Sequence, residues 1–343
     1  MDELKTLRDF IRYGASQFGR AGLSFGHSYD NALDEATQLV LHALHLPHDL
    51  SPVYAGAHLT TREKAQILGL FRRRIDERIP ACYLIGEAWF AGLAFKTDAR
   101  ALVPRSPIAE LIQAGYSPWL DSVQVERMLD LCCGGGCIGI ASAVHMPDWQ
   151  VDCVDLSADA LALAADNVER FEVGERVRLV RSDLFAALAG ERYQLIVSNP
   201  PYVTEGEYAA MPGEYSHEPR LGLTSGADGL DLPLRLLAEA ADHLEPDGVL
   251  IMEVGEAERA LQRLLPQVPF AWVEFRVGQM GVFVLRREDL VEHAAQIQAV
   301  WQQRRGELST TAAASSQAST HPASANEARV GSDDVGPFDV LDP

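Results

Sequence analysis

The fold is decided by a glycine-rich stretch that follows an apolar run, Asp130-Leu131-Cys132-Cys133-Gly134-Gly135-Gly136-Cys137-Ile138-Gly139. Because Gly134 and Gly136 lack side chains, a ligand can approach the backbone between a strand and the following helix. Taken alone, the spacing Gly134-x-Gly136-x-x-Gly139 also fits a dinucleotide-binding turn or a tightly packed structural turn. The surrounding sequence therefore decides between a cofactor site and a purely structural role.

Apolar runs of strand length alternate with helical stretches after residue 126, a pattern that predicts βαβ units and a mostly parallel sheet. These runs lie at 127–130, 151–155, 177–180, 195–198 and 248–252. Two late runs, 272–276 and 282–285, have a short connection at 278–281 and predict an antiparallel hairpin at the sheet edge. We therefore predict an α/β fold with a Rossmann-like sheet.

Polar side chains lie at or just beyond the ends of four predicted strands: Asp130, Asp155, Asp183 and Asn199. Ligands of open parallel sheets bind beyond the carboxyl ends of the strands, so these side chains should line one crevice. This context favours a cofactor site. The residues predicted to contact the cofactor are Asp130, Cys132, Gly134, Gly136, Asp155, Asp183, Leu184 and Asn199.

Two of these acids have specific predicted partners. Asp155 ends the second strand and can accept hydrogen bonds from two ribose hydroxyls; the alternative is that it only caps its own helix, next to Ser157. Asp183, with Leu184 and Phe185, is predicted to flank an adenine through a polar group and an apolar wall. A surface turn is the alternative for that segment.

The most specific motif is Asn199-Pro200-Pro201-Tyr202, directly after a buried run. Its two prolines donate no backbone hydrogen bonds, so the chain leaves the sheet as a stiff loop with carbonyls turned outward. The Asn199 side-chain oxygen and the Pro200 carbonyl can hold the two N–H bonds of a planar nitrogen, while Tyr202 packs on its planar group. The motif predicts methyl transfer to an amide or aromatic amine, with all four residues catalytic.

Composition restricts the partners of the protein. The 343 residues carry 29 Lys and Arg against 49 Asp and Glu, a formal net charge of −20. This charge argues against general attraction to nucleic acid or to an anionic membrane, and favours a basic polypeptide. The acidic N-terminus lacks a secretory signal, and five cysteines without a C-x-x-C pair indicate reduced thiols in a cytoplasm. Cysteines next to each other in a glycine-rich turn lack zinc-ligand spacing, so no metal is expected.

The chain is predicted to have four parts. Residues 1–85 form a small helical domain, with helix N-caps at Asp30 or Asn31 and at Thr60. Residues 86–105 form a hairpin linker, with strands at 93–96 and 101–103. Residues 106–305 form the catalytic domain. Residues 306–343, rich in Ala, Ser and Thr, form a disordered tail.

Two charged motifs have less specific interpretations. Arg72-Arg73-Arg74, with Arg78, predicts a solvated helix face; docking to RNA or to an acidic protein surface is the alternative. His217-Glu218 has three open interpretations: a proton acceptor, a contact to the substrate loop, or a group that fixes its own loop.

The motifs from Asp130 to Tyr202, in this order, resemble class I S-adenosylmethionine-dependent methyltransferases that methylate planar nitrogens. Within that class, Leu102-Val103-Pro104-Arg105 and the preceding helical region resemble the protein-glutamine methyltransferases. The Ser106-Pro107 form is similar to the branch that acts on the third protein of the bacterial large ribosomal subunit. The release-factor branch usually has Pro-Arg-Pro-Glu-Thr-Glu here. The resemblance covers about residues 5–288, with Cys132 where the superfamily often has glycine.

The resemblance implies an enzyme that transfers a methyl group from S-adenosylmethionine to the side-chain amide of a glutamine in that basic ribosomal protein. It implies that Asn199 orients the amide, that Asp155 holds the ribose and that residues 1–85 recognise the substrate. Nucleic acid would be met at most through the ribosome. The alternatives are a release-factor glutamine methyltransferase and a nucleic-acid exocyclic-amine methyltransferase, which the acidic composition disfavours. A nicotinamide-dependent oxidoreductase would leave residues 199–202 unexplained.

Overall fold

The structure, a computed structural model, describes residues 3–27, 29–276 and 281–318. Its strands are β1 (Glu87–Phe90), β2 (Leu93–Lys96), β3 (Arg127–Leu131), β4 (Gln150–Asp155), β5 (Val177–Arg181), β6 (Tyr193–Ser198), β7 (Leu244–Glu253), β8 (Ala271–Trp272) and β9 (Val282–Arg286). Its α-helices are α1 (Leu7–Arg20), α2 (Ala32–Ala43), α3 (Thr61–Asp76), α4 (Ala81–Ile85), α5 (Ile108–Gln113), α6 (Cys137–His145), α7 (Ala158–Arg170), α8 (Glu205–Ala210), α9 (Asp231–Ala240), α10 (Glu258–Leu264), α11 (Arg287–Glu292) and α12 (Ala294–Ala318).

The five apolar runs predicted from the sequence form five parallel strands of one seven-stranded sheet. The strand order is β5-β4-β3-β6-β7-β9-β8, in which β3 to β7 pair in parallel. β9 pairs antiparallel with both β7 and β8, so the predicted antiparallel edge is confirmed. The predicted connection at 278–281 lies largely outside the described residues. The Rossmann-like α/β prediction is confirmed.

Both faces of this sheet are covered, which explains why its strands read as continuous apolar runs. Neighbouring residues of β3 point to opposite faces: Met128 belongs to one core and Leu129 to the other, and neither side chain is exposed. Each βα unit therefore brings its strand end to the same edge of the sheet. That edge carries the polar residues predicted from the sequence.

Four helices precede the sheet and enclose a third core, to which α1, α2 and α3 contribute Phe10, Leu39 and Phe71. The predicted helix starts are confirmed. Asn31 caps α2, and Thr60 caps α3 in a capping box with Glu63.

The hairpin prediction was wrong in its pairing, although a hairpin does lie within 86–105. β2 pairs with β1, which precedes it, and residues 101–103 are not a strand. The cause is the two-residue turn at Ala91 and Gly92, where φ is 49° and 80°. Two residues with positive φ form the turn that matches the twist of a hairpin. Gly92 was the signal for this turn.

The predicted start of the disordered tail at residue 306 was also wrong, because α12 continues to Ala318. Gln303 bonds Glu307 one helical turn on, and alanine is the best helix former. Residues 319–343 of that prediction lie outside the described residues. In the part of the chain that the structure describes, no helix has the length and hydropathy to cross a bilayer.

Candidate active site

The glycine-rich turn joins β3 to α6 with the backbone in unusual conformations. Gly136 is the N-cap of α6 at φ 80°, and a Cβ atom on it would lie 2.8 Å from Cδ1 of Ile140. Cys132 has φ 62°, a left-handed conformation unfavourable for a residue with a side chain. Such local strain persists only where the surroundings fix it, and it is common at ligand sites.

Asp130 lies beneath this turn and is fully buried. Its Oδ2 accepts the Gly139 N–H at 2.8 Å, while Oδ1 has no hydrogen-bond partner among the described residues. Burial raises the pKa of Asp130 to about 7, although the Gly139 hydrogen bond opposes the shift. Asp130 and Gly136 do not line the cavity described below, so the structure places both where they shape the turn.

Asp155 connects the turn to the next βα unit. Its Oδ2 accepts the Gly134 N–H and its Oδ1 accepts the Ser157 N–H, both at 2.8 Å. The Ser157 side chain, in turn, caps α7 through Ala160. Burial raises the pKa of Asp155, against these backbone hydrogen bonds. Each carboxylate oxygen keeps a lone pair for a ligand hydroxyl.

The next strand end supplies the apolar part of the site. Leu184 is buried and lines the cavity, while Asp183 accepts a hydrogen bond from Arg235 at 2.7 Å. Phe185 does not line the cavity; it stacks on His243 at 4.4 Å between ring centroids. Sequence reasoning missed Leu156, which is 48% exposed and lines the same cavity. An apolar residue between the strand-end acid and the helix cap was the available signal.

The loop 199–202 follows β6 at the centre of the sheet. Ser198 fixes its start, because its hydroxyl donates to the Leu131 carbonyl at 2.6 Å. Pro200 and Pro201 are buried, whereas Asn199 is half-buried and lines the cavity. In the described part of the chain, the Asn199 side chain makes no hydrogen bond. Its amide is therefore available to a ligand.

The segment 102–107 forms the facing wall of the cavity. Arg105 donates through Nη1 to both carboxylate oxygens of Glu218, at 2.8 and 2.9 Å, and its guanidinium lies over the Tyr215 ring. Glu218 also accepts the Val103 N–H at 3.2 Å. The geometry therefore favours the loop-fixing interpretation of Glu218.

Two buried polar clusters join the loop after 199–202 to the N-terminal helical region. In one, Nε2 of His27 lies 3.2 Å from Oε1 of Glu218. In the other, Arg74 bonds Glu35 at 2.7 Å and Glu214 at 3.1 Å. The side chain of Arg74 is fully buried, so its prediction as part of a solvated face was wrong. The helical region thus holds the loop that lines the cavity mouth.

These parts enclose one cavity of about 980 Å³. That volume lies at the upper end of the range for small-molecule sites, which leaves room for a cofactor beside a substrate side chain. The predicted residues that line it are Cys132, Gly134, Asp155, Asp183, Leu184, Asn199, Pro200, Pro201 and Tyr202. Among the described residues, no group of three or more His, Cys, Asp or Glu is arranged to hold a metal.

The chain is similar in sequence to known methyltransferases. Residues 118–212 match the model of the methyltransferase small domain family. The chain is 63% identical to a ribosomal protein uL3 glutamine methyltransferase of Xanthomonas campestris, over 86% of this chain and 96% of that protein. It is 46% identical to the protein of that name from Bordetella pertussis, over 84% and 97%. A methyltransferase structure from Pyrococcus furiosus aligns with 65% of this chain and 98% of its own, at 20% identity and a TM-score of 0.40.

Proposed function

Because the chain belongs to the family of ribosomal protein uL3 glutamine methyltransferases, we propose that it methylates the side-chain amide nitrogen of a glutamine in uL3. The methyl donor is S-adenosylmethionine. One observation carries the proposal: a loop suited to a planar amide, 199–202, shares one cavity with the strand-end acid Asp155 and the glycine-rich turn. The two halves of a methyl transfer, donor and acceptor, therefore have adjacent sites.

The cofactor side of the cavity fits S-adenosylmethionine in its donor set. Asp155 offers carboxylate lone pairs for ribose hydroxyls, and Gly134 leaves the backbone open to close approach. Leu156 and Leu184 supply an apolar wall for the adenine, with Asp183 as a polar neighbour. When bound, the cofactor supplies an electrophilic methyl group on a sulfonium.

The acceptor side acts by orientation. An amide nitrogen is a weak nucleophile because its lone pair is delocalised, so the pair must be directed at the methyl group. The Asn199 side-chain oxygen and the Pro200 carbonyl accept hydrogen bonds from the two N–H groups of the substrate amide, while Tyr202 packs on the plane of the amide. As positive charge grows on the nitrogen, these oxygens stabilise it more than they stabilised the ground state. The methylated nitrogen would lose its extra proton to water after the transfer, so a strong general base is not required.

The helical region 1–85 is proposed to recognise the substrate protein, with 86–105 as the connection to the catalytic domain, 106–305. His27 and Arg74, both from this region, contact Glu218 and Glu214 of the loop at the cavity mouth. A protein bound to the helices would therefore lie beside the mouth. We propose the cytoplasm, where ribosomal proteins are made, as the site of the reaction, with nucleic acid involved only through the ribosome.

Charge supports a basic protein as the partner. The chain carries a formal net charge of −20, and opposite charge accelerates encounter between proteins. The rate constant for methylation of isolated uL3 at low substrate concentration should therefore fall as salt is raised. A rate constant independent of salt would remove steering from the proposal and leave the chemistry intact.

The test is to incubate the enzyme with uL3 and S-adenosylmethionine and to fragment the uL3 peptides by mass spectrometry. We expect one added methyl group on a glutamine side chain, formed about 100- to 1000-fold more slowly by the Asn199→Ala variant. Modification of a lysine, an arginine or a terminal amine would contradict an amide-specific site. A release factor in the same assay tests the sister branch.

A further inference from the structure

The last residue of β7, Glu253, forms hydrogen bonds to two segments that line the acceptor side of the cavity. Glu253 is buried, and each of its carboxylate oxygens accepts a hydrogen bond from a different segment. Oε1 accepts from the Tyr202 hydroxyl at 2.8 Å, and Oε2 accepts from the Ser106 hydroxyl at 2.5 Å. The sheet thus fixes both the loop 199–202 and the facing segment 104–107 through one side chain.

Tyr202 lies in a socket that leaves its ring little freedom. A Cβ atom on Gly255, which has φ 47°, would lie 2.5 Å from Cε2 of the Tyr202 ring. A Cβ atom on Gly229 would lie 2.0 Å from the Tyr202 carbonyl oxygen. The absence of side chains at these two glycines therefore leaves room for Tyr202, and the Glu253 carboxylate fixes the hydroxyl end of its ring.

Ser106 is fixed in the same way from the other side. Its hydroxyl donates to Glu253, and its Oγ accepts the Ile108 N–H at 3.2 Å at the start of α5. The neighbouring Arg105 points into the mouth and pairs with Glu218. A shift of Ser106 would therefore move the wall that faces the acceptor amide.

We propose that Glu253 is a positioning residue for methyl transfer: it sets the distance between the Tyr202 ring and the segment 104–107, and so the slot in which the glutamine amide lies. This inference rests on the proposed function. Small displacements of positioning groups reduce kcat steeply, because the acceptor must align with the methyl group. Asp155 and the glycine-rich turn do not contact Glu253 by any hydrogen bond, so cofactor affinity should not depend on it.

Two variants at this position separate hydrogen bonding from charge. Glu253→Gln keeps an acceptor for the Tyr202 hydroxyl and a polar partner for Ser106, but carries no charge. Glu253→Ala removes both hydrogen bonds. Asp247→Ala is the matched control, because Asp247 is an exposed acid near the other end of β7.

We expect Glu253→Ala to lower kcat about 10- to 100-fold, the effect of one or two buried hydrogen bonds. Glu253→Gln should retain kcat within about 3-fold, and the KM for S-adenosylmethionine should be unchanged in both. Tyr202→Phe should lower kcat, and combining it with Glu253→Ala should add little, because the two groups act as a unit. Equal losses for Glu253→Gln and Glu253→Ala would overturn the proposal, as would full activity of Glu253→Ala.

A second measurement does not depend on the substrate. Amide hydrogen exchange of the peptide spanning 199–204 should be faster in Glu253→Ala than in the wild type, Glu253→Gln and Asp247→Ala. Unchanged exchange would overturn the positioning role, even if uL3 proved not to be the substrate. Faster exchange in Glu253→Ala, together with a wild type that fails to methylate uL3, would instead retain the positioning role and reject the proposed function.

Discussion

Replacing Arg74 by alanine should destabilise the fold by about 3–5 kcal/mol, the usual effect of removing one partner from a buried ion pair. Its guanidinium is fully buried and donates in three directions: Nε to Glu35 at 2.7 Å, Nη1 to Glu214 at 3.1 Å and Nη2 to the Ser24 carbonyl at 2.8 Å. The variant would leave two carboxylates in a cavity. Burial already raises the pKa of Glu35, and the loss of Arg74 would raise it further.

The neighbouring Arg73→Ala is the matched control. The Arg73 side chain is 51% exposed, and its Nε lies 3.8 Å from Oε2 of Glu77. Exposed pairs of this kind contribute about 0–1 kcal/mol, so the free energy of unfolding of Arg73→Ala should be close to that of the wild type. Arg74→Lys keeps the charge but loses the planar guanidinium with its several donors. Its free energy of unfolding should therefore lie between those of Arg74→Ala and Arg73→Ala.

Urea unfolding followed by circular dichroism gives the free energy of unfolding for each variant. The loss of stability in Arg74→Ala should be accompanied by a higher KM for uL3, because Glu214 belongs to the loop at the cavity mouth. Free energies of unfolding of Arg74→Ala and Arg73→Ala that agree within about 1 kcal/mol would show that burial of Arg74 does not strengthen its ion pairs.

Three further predictions concern the site. Asp155→Ala should weaken S-adenosylhomocysteine binding about 10-fold or more by calorimetry, since it removes the proposed ribose acceptor; unchanged affinity would contradict that role. Asn199→Ala should lower kcat about 100- to 1000-fold while this affinity changes by less than about 3-fold; a parallel loss of affinity would count against amide positioning. Burial raises the pKa of Asp130 to about 7, above an unfolded value near 3.9. The protonated carboxyl therefore makes its full contribution to the stability of the folded state below about pH 4, and this contribution is lost as the pH rises through 7. Asp130→Asn should therefore gain about 1.4 kcal/mol on the wild type between about pH 6 and pH 8.5 in urea unfolding, and a gap independent of pH would refute this.

The sheet was predictable because its signal is local. Each parallel strand is buried on both faces, so it appears as an apolar run such as 195–198, and the residue after it lies at the ligand edge. The same rule, extended by one residue, would have identified Glu253 as the acid that ends β7. The prediction stopped at Met252, because Glu253 has no partner near it in the sequence.

Long-range pairs were not predictable. Arg74 lies among Arg72 and Arg73 in the sequence, and only the fold brings it to Glu214, 140 residues away. Glu218 and Arg105 likewise meet across 113 residues. Ionic partners of this kind depend on tertiary packing, which a charge run does not encode.

The family assignment depended on motif order more than on any one motif. Gly134-x-Gly136-x-x-Gly139 alone also fitted an oxidoreductase, and only the loop 199–202 selected methyl transfer. The Ser106-Pro107 form then selected the ribosomal branch. Relatives that align with most of the chain confirm that resemblance. The roles of Asp155 and Asn199 remain predictions for the variants above.

The proposed methyl acceptor is a glutamine of uL3. The most direct test offers the enzyme uL3, a release factor and ribosomal RNA together at equal concentration, with isotopically labelled S-adenosylmethionine, and measures the label in each. Label should accumulate on uL3 first, and on a glutamine side chain. Preferential label on the release factor would move the protein to the sister branch with its chemistry intact, and label on the RNA alone would contradict both the amide acceptor and the charge argument.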